Sequence, residues 1–244
     1  MGFIIIFAIT LMLYSSINTV LQPNMGRFNP ERTKFIDQFG DNLLYRGNMP
    51  LVRVNVPVVH KKFALDEVIA SMVLPSSMNA PVNPKVKAPS SLPKQYFFIN
   101  FSLLSKFGRE SAAYHIEEHF FNNNPAGKLI HYELHKLLFK GVISRDVGRI
   151  YDEVIIELRQ QLISTNNSPR IIYLHCKAGL DRTGTVIAGY AMRYLGYSYE
   201  EAIAININQG LRRAPDFYGI MGIQDYARYL RDTIGIETIG NIPD

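Results

Sequence analysis

The chain has 244 residues, of which 47% are hydrophobic and 19% are charged, and its formal net charge is +5 at pH 7. This length and composition allow one domain with a substantial core, or one domain with an elaboration, and exclude a disordered chain. The single cysteine excludes a disulfide within the chain, so its thiol is available for nucleophilic work. The mildly basic balance favours anionic substrates, and we expect no nucleic-acid partner.

Residues 3–14 form an uncharged apolar run that suits the core of a signal peptide better than a membrane-spanning helix. No Lys or Arg precedes this run, and no clear small-x-small cleavage site follows it. A membrane-anchoring segment and an ordinary buried element therefore stay open as alternatives. We expect residues 1–24 to be a signal peptide or an apolar N-terminal segment, residues 25–244 to be the folded domain, and the protein to be secreted or, without export, cytoplasmic.

Two short strands and a long connection follow. The simplest interpretation of residues 42–50 is an edge strand that ends in a turn, and residues 52–56 alternate with the period of two that is typical of a strand. Between Pro75 and Lys94, five prolines with Ser, Asn and Lys predict an irregular insertion at about 75–94. Loops of this length are often functional lids, so the insertion is a candidate border of an active cleft.

The middle of the chain predicts a strand over residues 96–101, a helix over 109–121 and another strand over 129–134. In this helix, His115, Glu118 and His119 match the H-x-x-E-H signature of inverted metallopeptidases, with both imidazoles on one face. A third ligand would have to come from elsewhere, and amphipathic helices often expose such residues. A zinc peptidase is therefore an alternative, whereas the main hypothesis below needs no metal or other cofactor.

A helix that begins near Asp146 carries a continuous apolar stripe. Its members are Val147, Ile150, Val154, Ile155, Leu158 and Leu162. The apolar run at 171–174 then predicts a buried strand, and a second helical pattern begins near Asp181. Strands that alternate with helices in this way predict an α/β domain with a central, mostly parallel sheet flanked by helices on both faces.

The stretch from His175 to Gly184, HCKAGLDRTG, joins this strand to that helix. A loop in this position turns successive backbone N–H groups inward, and the unpaired donors of the first helical turn add to them. The helix dipole reinforces the resulting cradle for an anion. The candidate phosphate-binding residues are Lys177, Ala178, Gly179, Leu180, Asp181 and Arg182.

Two side chains add chemistry to this cradle. The helix N-terminus, the inward N–H groups and a nearby cation favour the thiolate form of Cys176, which is then a ready nucleophile. Arg182 carries a planar fork of donors that matches two oxygens of a phosphoryl group, so it can hold the substrate and stabilise the transition state. Gly179 suits a position that needs positive φ or close approach to a ligand. Thr183 can donate a hydrogen bond to the sulfur, and His175 is a candidate support for the loop.

The pattern His-Cys-x-x-Gly-x-x-Arg-Thr-Gly resembles the phosphate loop of the cysteine-dependent (CX5R) protein tyrosine and dual-specificity phosphatases. The stretch from His175 to Gly179 is most similar to the cell-cycle dual-specificity phosphatases and to the phosphoinositide 3-phosphatase tumour suppressor. The resemblance covers residues 140–232, and Tyr45 to Pro50 is similar to a segment near the start of many small phosphatases of this class. It implies the cysteine-phosphatase fold and a two-step phosphomonoester hydrolysis through a phosphocysteine.

The resemblance also implies roles outside the cysteine and the arginine. Asp146 lies where the family places an aspartate that protonates the leaving oxygen, although no Trp-Pro-Asp pattern surrounds it and a helix N-cap is the alternative. Asp181 matches a loop carboxylate of some phosphatases with phosphoinositide activity, where it acts as an acid or orients the hydrolytic water. Gln224 corresponds to a water-positioning glutamine, and Arg212 and Arg213 correspond to basic residues that flank the loop.

Substrate choice stays open between two classes. Phosphotyrosine-containing or mixed phosphoprotein substrates are the main hypothesis, and phosphoinositides or inositol phosphates, with a membrane surface as partner, are the alternative. Lys177 follows the nucleophile as in the phosphoinositide 3-phosphatases, but Leu180 stands where they carry a second basic residue. A pseudophosphatase that only binds phosphate is disfavoured because both Cys176 and Arg182 are present.

Overall fold

The computed structural model of the chain describes residues 27–55, 59–73, 81–134, 144–165, 168–209 and 217–243. The predicted signal segment, the first part of the proline-rich insertion, and Arg212 and Arg213 lie outside these described residues. Within the described ranges, every helix is too short or too polar to cross a membrane.

A five-stranded sheet forms the centre of the domain. In chain order the strands are β1 (Lys34–Phe39), β2 (Asn42–Asn48), β3 (Leu51–Asn55), β4 (Val59–Phe63), β5 (Phe97–Ser102), β6 (Gly127–His131) and β7 (Arg170–Cys176). The large sheet has the order β1-β2-β7-β5-β6, in which β2, β7, β5 and β6 run parallel and β1 is antiparallel. β3 and β4 form a separate antiparallel hairpin. The prediction of a central, mostly parallel sheet is confirmed.

Helices lie on both faces of the sheet. They are α1 (Leu65–Met72), α2 (Ser111–Asn122), α3 (Ser144–Ile163), α4 (Asp181–Tyr194), α5 (Tyr199–Gln209) and α6 (Phe217–Tyr229). α1 and α2 contribute to the apolar cluster that also holds Ile171 and Tyr173 of β7. The other four helices pack in a second cluster, around Ile172 and Leu174. Because neighbouring residues of a strand point to opposite faces, β7 contributes to both layers of the core.

The first strands of the sheet differ from the prediction. β2 pairs with β1 on one side and with β7 on the other, so the interpretation of residues 42–50 as an edge strand is wrong. The sequence analysis does not predict β1, β4 or α1. α1 spans eight residues, and β1 mixes buried polar with apolar side chains, so neither shows a clear apolar period.

The described part of the proline-rich insertion, residues 81–94, contains no helix or strand, as predicted. Its start is anchored on β1, where the Asn83 N–H donates to Ile36 O at 3.0 Å and the Asn83 side-chain amide donates to Asp37 at 2.7 Å. Val82 O accepts a hydrogen bond from the Tyr197 hydroxyl at 2.9 Å. β2 separates this anchor from β7.

Buried Asn42 joins the end of α3 to the starts of β2 and β7. Its Nδ2 donates to Leu162 O at 2.7 Å and to Ser164 O at 2.8 Å, and its Oδ1 accepts from the Arg170 N–H at 2.8 Å. One side chain therefore satisfies two backbone groups at the end of α3 and one at the start of the strand that carries the cysteine. Without it, backbone groups in a mostly buried environment would lose their partners, which costs more than an exposed hydrogen bond.

We expect Asn42→Ala to lower the free energy of unfolding by about 2–3 kcal/mol, because these backbone groups lose their partners. Urea unfolding followed by circular dichroism measures the change. Gln160→Ala, at an exposed position of α3, is the control and should change stability by less than about 0.5 kcal/mol. Equal stability of the two variants would contradict the role assigned to Asn42.

Candidate active site

Cys176 is the last residue of β7, and α4 begins five residues later at Asp181. In the parallel pairing of β2 with β7, Cys176 lies opposite Asn48. Residues 177–180 connect the strand to the helix, and they are called the loop from here on. The Cys176 residue is 2% exposed, so the sulfur lies beneath the loop and not on the surface.

Three consecutive carbonyl groups of the loop accept hydrogen bonds from donors outside it. The bonds join Lys177 O to the Met49 N–H at 3.4 Å, Ala178 O to the Arg32 guanidinium, and Gly179 O to Arg46 Nη2 at 2.7 Å. Because the C=O and N–H of one planar peptide point in opposite directions, each fixed carbonyl turns the following N–H toward the other side. The Gly179 N–H shows this, since it donates to Cys176 Sγ at 3.3 Å. The loop therefore presents backbone donors on the side of the sulfur, as an anion cradle requires.

Of the two arginines in this set of donors, Arg46 on β2 is the buried one. Its Nη1 also donates to Asn206 Oδ1 at 3.3 Å. Complete burial lowers the pKa of Arg46 to about 10, although the negative charges of Cys176 and Asp181 oppose that shift. The guanidinium thus stays protonated at neutral pH.

Asn48 fixes the segment that carries Arg32. Its Nδ2 donates to Arg27 O at 2.9 Å, and its Oδ1 accepts from the Asn29 N–H at 3.0 Å. Asn29 is in turn the N-cap of a short 3₁₀ turn, Pro30–Arg32. The residue that lies opposite Cys176 in the sheet therefore also positions the arginine that binds the loop.

Gly179 has a φ of +69° and lies close to β2. A Cβ atom at this position would lie 2.3 Å from Gly47 O. Residues with a side chain rarely adopt this φ, and no Cβ fits at this distance. The predicted positive φ is confirmed, and the close neighbour that the structure shows is the backbone of β2.

Arg182, in the first turn of α4, is held by Glu110. Its Nη1 donates to Glu110 Oε2 at 2.8 Å and to Leu103 O at 2.7 Å, and its Nη2 donates to Glu110 Oε1 at 2.6 Å. These bonds to described residues use three of the five N–H groups of the guanidinium. The Nε–H and the second N–H of Nη2 lie together on another edge, which matches two oxygens of a phosphoryl group.

The electrostatics of this pair favour the charged forms of both partners. Burial lowers the pKa of Arg182, but the negative charges of Cys176 and Glu110 and the hydrogen bonds to Glu110 raise it by more. Burial likewise raises the pKa of Glu110, but the hydrogen bond and charge of Arg182 bring it below its ordinary value. Arg182 is therefore a fixed cation that attracts the sulfur of Cys176.

The two candidate acids have different positions in the structure. Asp181 is the first residue of α4, and its negative charge acts on both Arg46 and Arg182, so it lies at the site. Asp146 lies within the first turn of α3, which begins at Ser144. An N-cap residue precedes the helix, so the interpretation of Asp146 as the N-cap is wrong. The side chain of Asp146 lies outside the described residues.

The structure does not match the predictions that His175 supports the loop and that Thr183 donates a hydrogen bond to the sulfur. Alternation along β7 places His175 on the opposite face from Cys176, where its Nε2 lies 3.4 Å from Glu117 Oε1. Glu117 also accepts a hydrogen bond from Asn100 at 3.1 Å, so His175 belongs to a buried polar group that supports the sheet. The Thr183 hydroxyl is fully buried and has no hydrogen-bond partner within the described ranges, so its predicted bond to the sulfur is not formed.

The remaining predicted residues fall into two groups. Lys177 and Ala178 are partly exposed in the loop, while Leu180 is buried at its end. Gln224 forms a hydrogen bond with Tyr199, where α5 and α6 meet. The structure thus gives Gln224 a role in helix packing, and its assignment as a water-positioning residue is not supported.

The predicted zinc signature lies on the surface of α2. His115 Nδ1 lies 3.2 Å from Glu118 Oε2, and both side chains are largely exposed. In the part of the chain that the structure describes, no three His, Cys, Asp or Glu side chains are grouped to hold a metal ion. The zinc peptidase alternative therefore receives no support.

Sequence reasoning missed the residues that hold the loop and its arginine. They are Arg32, Arg46, Asn48, Glu110 and Asn206. Arg46 and Asn48 lie in the stretch Tyr45–Pro50 that the family resemblance already singled out, so that signal could have indicated them. Glu110 and Asn206 carry no local signal, because their roles arise only from tertiary contacts.

Comparisons with known proteins give similarity in structure only. No family model matches the chain, and no curated protein sequence matches it. A mouse dual specificity phosphatase complexed with zinc tungstate is 13% identical, with 80% of this chain and 87% of that chain covered and a TM-score of 0.36. A tyrosine phosphatase from the Orf virus is 10% identical, with 83% and 92% covered and a TM-score of 0.33. At these identities and TM-scores, the likeness by itself assigns no activity to the chain.

We expect Glu110→Gln to lower the free energy of unfolding by about 1–3 kcal/mol at neutral pH, because a charge-assisted pair is lost. Since the folded-state pKa of Glu110 lies below its ordinary value of 4.5, its stabilisation is complete above that value and disappears as pH falls through the folded-state pKa. Urea unfolding of both proteins across this range should show a difference that shrinks toward acid. Glu237→Gln, at an exposed position, is the control, and a pH-independent loss in Glu110→Gln would contradict the ionic role.

Proposed function

We propose that the protein is a cysteine-dependent phosphatase of the protein tyrosine and dual-specificity type, which hydrolyses phosphomonoesters through a phosphocysteine at Cys176. The observation that carries this proposal is the strand–loop–helix junction. There the Gly179 N–H donates to the sulfur, and Arg182 is held by Glu110 with one edge of its guanidinium matched to an oxyanion. A nucleophile, an anion cradle and a bidentate cation at one junction are the groups that phosphoryl transfer to a cysteine needs.

In the first step, Cys176 Sγ attacks phosphorus in line with the leaving oxygen. The S–P bond forms as the P–O bond to the leaving group breaks, and the leaving oxygen takes a proton from an acid. The inward N–H groups of the loop and the guanidinium of Arg182 bind the three equatorial oxygens, whose charge these donors stabilise in the transition state. Asp181 is the candidate acid that lies at the site, and Asp146 is the alternative.

In the second step, water attacks the phosphorus of the phosphocysteine, the S–P bond breaks, and inorganic phosphate is released. The sulfur leaves with a negative charge, so the nearby groups that bear partial or full positive charge favour its departure. These groups are the Gly179 N–H and the guanidinium groups of Arg46 and Arg182. Neither step uses a metal ion or an organic cofactor.

For this reaction we infer phosphotyrosine-containing or mixed phosphoprotein substrates. The loop of phosphoinositide 3-phosphatases carries a second basic residue where this chain has Leu180, whose side chain is buried. The positive net charge of +5 suits an acidic phosphoprotein surface. Secretion through the apolar run at 3–14 belongs to the same proposal, and N-terminal sequencing of protein recovered from the medium tests it.

We expect Cys176→Ser to reduce turnover of an aryl phosphate by about 10⁴-fold or more, because the weaker hydroxyl nucleophile replaces the thiolate. Inorganic phosphate should still bind, since the cradle and Arg182 remain. Stopped-time assays and calorimetry measure the two properties. Arg182→Lys is the matched comparison and should weaken both, because a lysine lacks the bidentate fork. If Cys176→Ser turned over the aryl phosphate at nearly the wild-type rate, the proposed function would be contradicted.

Turnover of two substrates with different leaving groups identifies the residue that acts as the acid. We expect Asp181→Asn to lower turnover of an alkyl phosphate by about 10²-fold or more, and to change that of a nitrophenyl phosphate much less, because a good leaving group departs without a proton. Asp146→Asn is the matched variant, and the same selective loss there would identify Asp146 as the acid. Equal losses on both substrates would contradict the role of the substituted residue.

A further inference from the structure

A buried polar group joins α2 to the strand that carries Cys176. Glu117 of α2, Asn100 of β5 and His175 of β7 are all fully buried. Asn100 Nδ2 donates to Glu117 Oε2 at 3.1 Å, and His175 Nε2 lies 3.4 Å from Glu117 Oε1. The two carboxylate oxygens thus contact two neighbouring strands. Because polar contacts depend on direction and apolar packing does not, this group fixes the position of α2 on the sheet.

The start of the same helix holds Arg182. Glu110 is the N-cap residue of α2, and its carboxylate accepts hydrogen bonds from Arg182 at 2.6 and 2.8 Å. Glu117 lies two helical turns further along the chain, so the two carboxylates are on the same side of α2 and about 10 Å apart along its axis. A shift of α2 at Glu117 therefore moves Glu110 and, with it, the guanidinium of Arg182.

The strand side of this polar group leads directly to the nucleophile. His175 precedes Cys176 in β7, so their Cα atoms are about 3.8 Å apart. His175 O accepts a hydrogen bond from the Leu103 N–H at 2.9 Å, and Leu103 O accepts one from Arg182 Nη1 at 2.7 Å. The contacts of His175 and Glu117 therefore connect Cys176 to Arg182 by two routes, one through α2 and one through the backbone of Leu103.

We propose that Glu117 is a positioning residue, which sets the separation between Cys176 Sγ and the guanidinium of Arg182. It acts through His175 on the strand side and through Glu110 on the helix side. The proposal rests on the proposed function for the roles of Cys176 and Arg182. Both groups must meet one phosphoryl group in line, and a misplacement of about 1 Å can cost about 10²-fold in rate. A buried contact between the two supports of these groups therefore affects the rate without touching the substrate.

The single cysteine of the chain gives a readout that does not depend on turnover. Iodoacetate and iodoacetamide alkylate a thiolate by the same displacement, in which an S–C bond forms and iodide leaves. Only iodoacetate carries a carboxylate that Arg182 can bind, so the ratio of the two alkylation rates reports the position of the guanidinium relative to the sulfur.

We expect Glu117→Gln, which nearly preserves the volume of the side chain and removes its charge, to lower this ratio. The decrease should be about fivefold or more, and kcat for an aryl phosphate should fall by about tenfold, because Arg182 is displaced from Cys176. If Glu117→Gln does not fold, as judged by its unfolding midpoint, Asn100→Ala replaces it, since Asn100 orients the same carboxylate. An unchanged ratio in the variant that folds overturns the proposal.

Asp152→Asn is the matched control, because Asp152 is also a buried carboxylate in a polar group. It lies 2.6 Å from Arg193 Nη1 and accepts a hydrogen bond from the Tyr226 hydroxyl at 2.7 Å. Arg193 is in the last turn of α4, about 16 Å along the helix axis from Arg182. Asp152→Asn should lower the unfolding midpoint as Glu117→Gln does, but leave the alkylation ratio unchanged within about twofold, because the two sites are distant.

A double variant tests the route through α2. If Glu117 acts through Glu110, Glu110→Gln combined with Glu117→Gln should lower the ratio no further than the more damaging single variant, because residues that act as a unit are not additive. Decreases that multiply in the double variant overturn the proposal, since Glu117 would then act independently of the residue that holds Arg182.

Aryl phosphate turnover by the wild-type protein tests the proposed function separately. Turnover by the wild type, with the same alkylation ratio in Glu117→Gln, overturns the positioning role alone. Equal slowing of both reagents in Glu117→Gln also overturns it, because a general loss of structure or thiolate reactivity leaves the ratio unchanged. A ratio that falls in Glu117→Gln and not in Asp152→Asn, without turnover by the wild type, supports the positioning role and overturns the proposed function.

Discussion

The site depends on three carbonyl groups that are turned away from the sulfur. The carbonyls of residues 177–179 accept hydrogen bonds from Met49, Arg32 and Arg46, and planar peptides then direct the following N–H groups toward Cys176. A buried guanidinium is costly unless its donors are satisfied, so Arg46 can remain inside only while the loop keeps this shape. The loop and its supporting arginines therefore stabilise each other.

Successive side chains of β7 point to opposite faces of the sheet, so Cys176 and His175 lie in different layers of the core. Cys176 points toward the layer of α3 to α6, and His175 points toward Glu117 of α2 on the opposite face. The layer of α3 to α6 faces the candidate nucleophile, and the opposite layer carries a buried polar group of His175, Glu117 and Asn100. A one-residue shift of β7 would exchange these positions, and Asn42 opposes such a shift because it bonds to Leu162 O at the end of α3 and to the Arg170 N–H at the start of β7.

Local patterns were enough to predict the fold class and the junction of strand, loop and helix that carries Cys176. The loop residues 176–182 are contiguous, and the apolar run before them and the helical period after them indicate a strand and a helix. Residues that act across the fold were not predictable in this way. Glu110, in the turn before α2, binds Arg182, and Asn206 of α5 binds Arg46. Neither contact leaves a pattern in the neighbouring sequence. The predicted hydrogen bond from Thr183 to the sulfur was wrong, because the hydroxyl is buried without a hydrogen-bond partner among the described residues.

The most direct test of the central claim is to trap the intermediate. Wild-type protein mixed with an aryl phosphate, quenched rapidly in acid and digested, should yield the peptide of Cys176 with the mass of one added phosphoryl group. The modification should be absent without substrate and should decay as turnover is completed. Substrate turnover with no phosphorylated peptide at any time, or with the phosphoryl group on another residue, would contradict the account.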